Sequence, residues 1–381
     1  MTSLLGVISA VFWGLLVLSL LVFIHEGGHF LAARLFGMRA TEFFLGMPCP
    51  IRLSWKSRKL GTEFGVTPIL LGGYTRICGM EGEQDELLAP ALACVQRHGR
   101  VSGEVLASEI GCDVEHAYAL LATLSDWAAI RPYYDESLGE RPGQSTWPES
   151  FETLARDDQL LTEYDKGHDF SRPGSTADAE PRVPDLSPEA FLEQERSRTY
   201  LGGSFFARVL ALLAGPMVNI LFAMLLVVIT LSVFGMEITA ENGETFLWRV
   251  DVLTALSISW DYAVTVATFA LQLIMPQHTI EVLESSSSVV GISVMASEAA
   301  ATSMTDLVLL VASVSMSLGF MNLLPIPPLD GGKILVEVIQ LIIRRPLSVR
   351  AQNAVSYVGL AFFLFIFVFA LRNDIIRYVI G

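Results

Sequence analysis

Residues 4–33 read LLGVISAVFWGLLVLSLLVFIHEGGHFLAA. Residues 4–24 carry no charge, and then His25, Glu26 and His29 arrive together. Roughly 20 apolar residues suffice for a helix to cross the hydrocarbon core of a bilayer, so the stretch predicts a membrane helix with ionisable groups near one end. Such groups are expensive in lipid and are usually functional where they occur. Positions four apart share a helix face, so the imidazoles of His25 and His29 project together with Glu26 beside them. His-Glu-x-x-His on a helix is a zinc pattern in which the imidazoles bind the ion and the carboxylate serves as general base toward a bound water. Three protein ligands leave the fourth position open for that water and lower its pKa to about 7.

The rest of the chain supports lipid as its solvent. Of 381 residues, 52% are hydrophobic and 17% charged, more apolar than a soluble domain usually is. Residues 205–234, 307–324 and 355–371 are further apolar stretches near spanning length. The first stretch lacks a basic start and a small-residue cleavage site, so a retained helix is expected rather than a removed signal peptide. Cys49, Cys78, Cys94 and Cys112 form no Cys-x-x-Cys pair, and reduced thiols are expected.

Charge is distributed unevenly. Residues 81–200 hold 25 of the 40 acidic residues and 10 of the 25 basic ones, so the net charge of −15 belongs to this segment. Arg34, Arg39, Arg52, Lys56, Arg58, Lys59 and Arg76 follow the first span, and Lys333, Arg344, Arg345 and Arg350 follow the third. Between the second and third spans stands Arg249 alone. Positive-inside bias then places the first and third connections in the cytosol and both termini outside, although Arg372 and Arg377 pull the other way.

A third ligand is required, and residues 322–332 offer one. Asp330 follows the third span where Pro325, Pro327 and Pro328 break its helix. By the charge count this position shares the cytosolic depth of His25 and His29.

These residues resemble the site-2 protease family of intramembrane metalloproteases, and within it the bacterial branch of the regulator of sigma-E protease. The resemblance covers residues 10–80 and 200–370. It rests on His25-Glu26-x-Gly28-His29, on Phe206 with Ala214-Gly215-Pro216-x-x-Asn219, and on Asn322 to Gly332 with Leu329-Asp330-Gly331 at its core. It implies that His25, His29 and Asp330 hold Zn2+, that Glu26 is the catalytic base, and that Asn219 positions substrate or its oxyanion. It also implies single-pass membrane proteins as substrates, cut within or near their transmembrane segments, and a multi-pass location in a prokaryotic plasma membrane.

Residues 62–74 are rich in strand formers and glycine and resemble the membrane-associated β-hairpin of that family. An open strand edge can hold an unwound substrate extended, which matters because a membrane helix hides its peptide bonds in its own hydrogen-bond ladder. Phe64, Val66, Leu70, Gly72, Gly73, Asn219 and Asn322 are the expected substrate-binding residues. Residues 257–275 carry Trp260, Asp261 and Tyr262 and suit a helix at the lipid interface better than a fifth span.

Two departures stand out. Gly27 and Gly28 each cost about 1 kcal/mol in a helix relative to alanine, which points to close packing of another backbone. Residues 235–290 are too short for the PDZ domain that branch often carries, if they also hold the interfacial helix. The acidic insert instead reads as helices over 87–97, 102–111 and 113–127, with Ser102 and Asp113 as N-caps, followed by a strand over 130–134. This order resembles a winged helix. Its acidity disfavours DNA and favours a cytosolic protein partner. Residues 136–184 read as a polar linker, and residues 187–200 as an amphipathic helix.

The expected architecture is therefore an α-helical multi-pass membrane protein with about four transmembrane helices, a membrane-associated hairpin and a small cytosolic helical domain. Residues 1–82 hold the first span and hairpin, 83–150 the insert, 151–200 the linker and amphipathic helix, and 201–381 the remaining spans. A catalytically silent, zinc-binding membrane adaptor recruiting partners through the insert is the competing reading. A transporter is disfavoured because no inverted repeat of spans is present.

Overall fold

The computed structural model describes residues 4–49, 51–57, 60–80, 85–141, 146–154, 181, 185–239, 245–275, 277–345, 347 and 349–380. Of the linker expected over residues 136–184, residues 142–145, 155–180 and 182–184 lie outside these, as do Pro50, Arg58 and Lys59. In chain order the elements are α1 (Leu4–Leu35), β1 (Ala40–Leu45), β2 (Leu53–Lys56), β3 (Glu63–Val66), β4 (Gly73–Ile77), α2 (Leu88–His98), β5 (Arg100–Ser102), α3 (Gly103–Ile110), α4 (Val114–Asp126), β6 (Ile130–Tyr133), β7 (Ser150–Thr153), α5 (Pro188–Arg196), α6 (Phe205–Ile229), β8 (Met236–Thr239), β9 (Thr245–Trp248), α7 (Val252–Leu273), α8 (Thr279–Ser285), α9 (Val289–Thr302), α10 (Met304–Asn322), α11 (Asp330–Ile343) and α12 (Val349–Ile375). The described residues fall into two compact units. One is formed by Met1–His29, Leu70–Gly73 and Val209–Gly381, the other by Phe30–Ile69 and Tyr74–Arg208.

The first unit is mainly helical, with β8 and β9 paired antiparallel. Among the described residues, five helices are long and apolar enough to cross a membrane: Leu4–Leu35, Phe205–Phe234, Val252–Leu273, Met304–Asn322 and Ala354–Tyr378. That is one more than the sequence suggested, and the addition is α7, expected at the lipid interface.

Packing gives each helix a direction. Val17 and Leu21 of α1 cluster with Leu307 at the start of α10, while His25 and His29 reach Asp330 beyond its end, so α1 and α10 run the same way. α6 runs against both. Its Ala214 lies at Gly28, its Asn219 carbonyl accepts from Ser315 Oγ at 2.9 Å, and its Val227 packs with Ala312 and Met316.

α7 lies along α10 in the same direction rather than across it, with Tyr262 Oη 2.6 Å from Ser313 Oγ and Leu273 clustered with Leu324. The reason is a buried strip of small residues, Ala255, Ser259, Ala263 and Ala270, which lets neighbouring helices approach closely in lipid.

α9 turns back, bringing Ser293 beside Gly14 and Ser297 Oγ within 2.7 Å of Ser9 Oγ. Its 14 residues reach about 21 Å, short of the roughly 30 Å hydrocarbon core. α12 brings Gly359 against the Pro327 carbonyl. Further on, buried Asp374 accepts from the backbone N–H groups of Ser288 and Gly291 at 2.6 and 3.0 Å, capping α9.

The second unit contains two sheets. The first has strand order β2-β3-β1-β4. β3 is parallel to β1, with Phe43 opposite Phe64 and Leu45 opposite Val66, and antiparallel to β2, with Trp55 opposite Phe64 and Leu53 opposite Val66. The hairpin expected over residues 62–74 is therefore not formed: β3 and β4 are separated by β1. Phe64 and Val66 stand on a strand with both edges already paired, so their backbone cannot receive an added strand.

The acidic insert supplies the second sheet, antiparallel in order β5-β7-β6, together with α2, α3 and α4. Ser102 Oγ accepts from Val105 N and Asp113 Oδ1 from His116 N, the two expected N-caps. Leu92, Val95, Leu106, Leu121, Leu124, Trp127, Ile130 and Phe151 form its core, and α5 adds Phe191. Arg39 is buried, donating from Nη1 to Trp127 O at 2.7 Å and to Glu195 Oε2 at 3.3 Å. Replacing Arg39 by alanine takes a charged partner from the buried Glu195 carboxylate and should cost about 3–5 kcal/mol. Denaturant unfolding followed by insert tryptophan fluorescence would measure it.

Candidate metal centre

All the atoms of this centre belong to the first unit. His25 and His29, one helical turn apart on α1, present Nε2 atoms 3.2 Å from each other. Asp330 Oδ2 lies 3.0 Å from the first and 3.2 Å from the second. All three residues are buried. Asp330 opens α11, directly after the turn through Pro325–Leu329. Side chains at Gly331 and Gly332 would collide with the carbonyl of Leu323 and the nitrogen of Pro327, so Asp-Gly-Gly lets the helix start against this turn.

Hydrogen bonds with α6 hold the two imidazoles in place. His29 Nδ1 donates to the Ala211 carbonyl at 2.8 Å, leaving the neutral ring with a bare Nε2 lone pair facing the carboxylate. Lone pair against carboxylate is repulsive, and a divalent cation between them turns the contact into bonding. Nitrogen and oxygen donors in this number suit zinc. Asn219, fully buried, places Nδ2 3.3 Å from His25 Nδ1 and leaves its own Oδ1 without a hydrogen-bond partner. Turning the amide over satisfies that oxygen with His25 Nδ1–H and frees His25 Nε2 for the ion. If so, Asn219→Leu should weaken metal binding about 10–100-fold and Asn219→Asp should largely preserve it, as chelator competition would measure.

Close helix contact explains two glycines. A Cβ on Gly28 would sit 2.5 Å from the Ala214 carbonyl oxygen, and one on Gly215 would sit 2.3 Å from His29 Nε2. The backbone of α6 thus passes directly over the ligand face, which is the close packing that Gly27-Gly28 suggested for the second of the pair.

Glu26 is half-buried on α1 between the two histidines. Asn322 turns its amide back to the Leu318 carbonyl at 3.0 Å within its own helix. Leu70, Gly72 and Gly73 group with the first unit, where Leu70 O accepts from Ser19 Oγ of α1 at 2.5 Å, whereas Phe64 and Val66 belong to the second. The Ala211 carbonyl and Gly215 were not singled out for these roles from sequence. A backbone acceptor leaves no mark there, and Gly215 was visible only as part of Ala-Gly-Pro.

Apolar helices of spanning length that bring a His-Glu-x-x-His pair to a carboxylate on another helix define a class, the membrane metalloproteases. Residues 13–366 match the model of Peptidase family M50, and the chain belongs to that family. It is 27% identical to Metalloprotease MmpA of Caulobacter vibrioides over 398 residues, 96% of this chain and 94% of that protein. A Helicobacter pylori (strain J99) protein carried as a candidate zinc metalloprotease is 27% identical over 376 residues, 95% and 98% of the two chains. Zinc metalloprotease RasP of Bacillus licheniformis is 34% identical over 147 residues, 38% of this chain and 34% of that one.

Proposed function

We propose that this chain is a zinc-dependent intramembrane endopeptidase of site-2 type, which hydrolyses a peptide bond within or near the transmembrane segment of single-pass membrane proteins. The observation that carries the reading is the meeting of His25, His29 and Asp330 within 3.2 Å. In this reading these three hold the ion, which when bound supplies Lewis acidity and an acidified water. Glu26 takes the proton of the attacking water and passes it to the leaving amine. Asn219 and the Ala211 carbonyl keep the two imidazoles in the ligating tautomer.

The substrate must present an unwound segment. Leu70–Gly73, tied to α1 through Ser19 six residues before His25, belongs to the same unit as His25, His29 and Asp330. It is a better-supported place for an extended strand than Phe64 or Val66.

The helix directions support both termini lying on one side of the membrane. α1 enters and α6 returns, α7 enters and the α8–α9 segment turns back, α10 enters and α12 returns. With positive-inside bias that side is outside, in a prokaryotic plasma membrane, and the insert is cytosolic. Its element order, α-β-α-α-β-β, is that of a winged helix. Glu115 and Glu104 open its α4 and α3, so a protein partner fits it better than DNA.

The test is reconstitution in lipid vesicles with a membrane-anchored model peptide, read by mass spectrometry of the products. Cleavage inside or beside the anchor, blocked by a zinc chelator and restored by zinc, is expected. Cleavage that survives chelation would reject the reading.

A further inference from the structure

The insert contains a second cluster of metal-ligating side chains, remote in sequence from the first. Cys94 and His98 are one turn apart on α2, and Glu109 faces them from α3. Among the described residues, their ligand atoms and those of His25, His29 and Asp330 make up the two such groups whose members all lie within 4.8 Å of one another. The arrangements are alike in one respect. Glu109 Oε2 is shared by the Cys94 thiol at 3.3 Å and His98 Nε2 at 2.7 Å, as Asp330 Oδ2 is shared by two imidazoles. The other oxygen, Oε1, is taken by Arg97, which holds the carboxylate with Oε2 turned toward the cysteine and histidine.

We propose that the insert binds a second divalent cation of zinc type through Cys94 Sγ, His98 Nε2 and Glu109 Oε2. Sulfur, imidazole and carboxylate together are a zinc donor set. The three come from adjacent elements inside one small core, so they are brought near each other before any ion arrives. Cys94 is buried, while the side chains of His98 and Glu109 are 44% and 28% exposed, giving the ion an entry path and a fourth position for water. His98 is the last residue of α2, where the helix dipole favours a cation. The Cys94 thiol donates its proton to Glu109 Oε2. Binding replaces that proton with the ion and releases it to solvent. The ion would tie α2 to α3, the two helices that Arg97 and His98 already join through Glu109.

Cobalt(II) titration of the full chain in detergent separates this site from the membrane one, because the latter contains no sulfur. A sulfur-to-cobalt charge-transfer band in the near ultraviolet is expected, present in His25→Ala and absent in Cys94→Ser. His98→Ala, which alters a partly exposed side chain, should weaken the cobalt affinity of that band by more than about tenfold, since even outer-shell changes cost 10–100-fold. No band in the wild-type chain at saturating cobalt would overturn the proposal. So would a band unchanged in intensity in Cys94→Ser or in affinity in His98→Ala.

Discussion

Glu26→Gln is expected to stop peptide hydrolysis while the ion stays bound. Gln matches Glu in size and keeps a polar atom at the same place on α1, but it cannot take a proton from water. Loss of a general base costs about 10²–10⁴-fold in rate, enough to push a slow membrane protease below detection. The ligand atoms belong to other residues, and the contacts that hold them, His29 to Ala211 and Asn219 to His25, do not involve position 26. Metal content by mass spectrometry should therefore equal that of the wild type, while cleavage of a vesicle-embedded substrate disappears. Undiminished cleavage would remove Glu26 from the mechanism, and joint loss of metal and activity would make it a structural residue.

Gly215→Ala should be nearly as damaging, through a different cause. The added methyl carbon would fall 2.3 Å from His29 Nε2, the atom that would face the ion. The helix backbone that carries it is anchored next door, where Ala214 meets Gly28. The imidazole cannot retreat without giving up its Nδ1 hydrogen bond to Ala211. Misplacing one ligand by a few tenths of an ångström is enough to spoil coordination, so affinity for zinc should fall by at least about 10–100-fold, the range seen when outer-shell support is lost. Chelator competition measures this directly. Alanine at position 27 is the control, and normal zinc affinity in Gly215→Ala would show that α6 can shift away at little cost.

How much of this was visible in the chain itself varies with the range of the interaction. His25, Glu26 and His29 were legible because a helix imposes its own spacing, and their membrane setting made polar residues informative. Asp330 was legible through the proline-rich turn before it and the resemblance it completes. Ser102 and Asp113 announced their helices because an N-cap acts within three residues. What escaped was long-range. Nothing local to residues 62–74 says that β1 will separate the two strands, since pairing is decided by which edge reaches which. The direction of α7 depends on small residues meeting α6 and α10, and its Trp260 and Tyr262 read equally well as interface anchors. The contact of the Asn219 amide with His25 Nδ1 was also out of reach, since it requires knowing how α6 is rotated.

The insert core is completed by Phe191 of α5, and buried Glu195 on the same helix meets Arg39. Both lie beyond the residues that build the three-stranded sheet, and shortly ahead of α6. During synthesis the insert must therefore wait, with an apolar gap in it, until α5 leaves the ribosome. Only a short tether then separates its final closure from the entry of α6 into lipid. A chain that matures in this order completes its insert before Asn219 and Asp330 have been made, so the candidate metal centre is assembled only at the end.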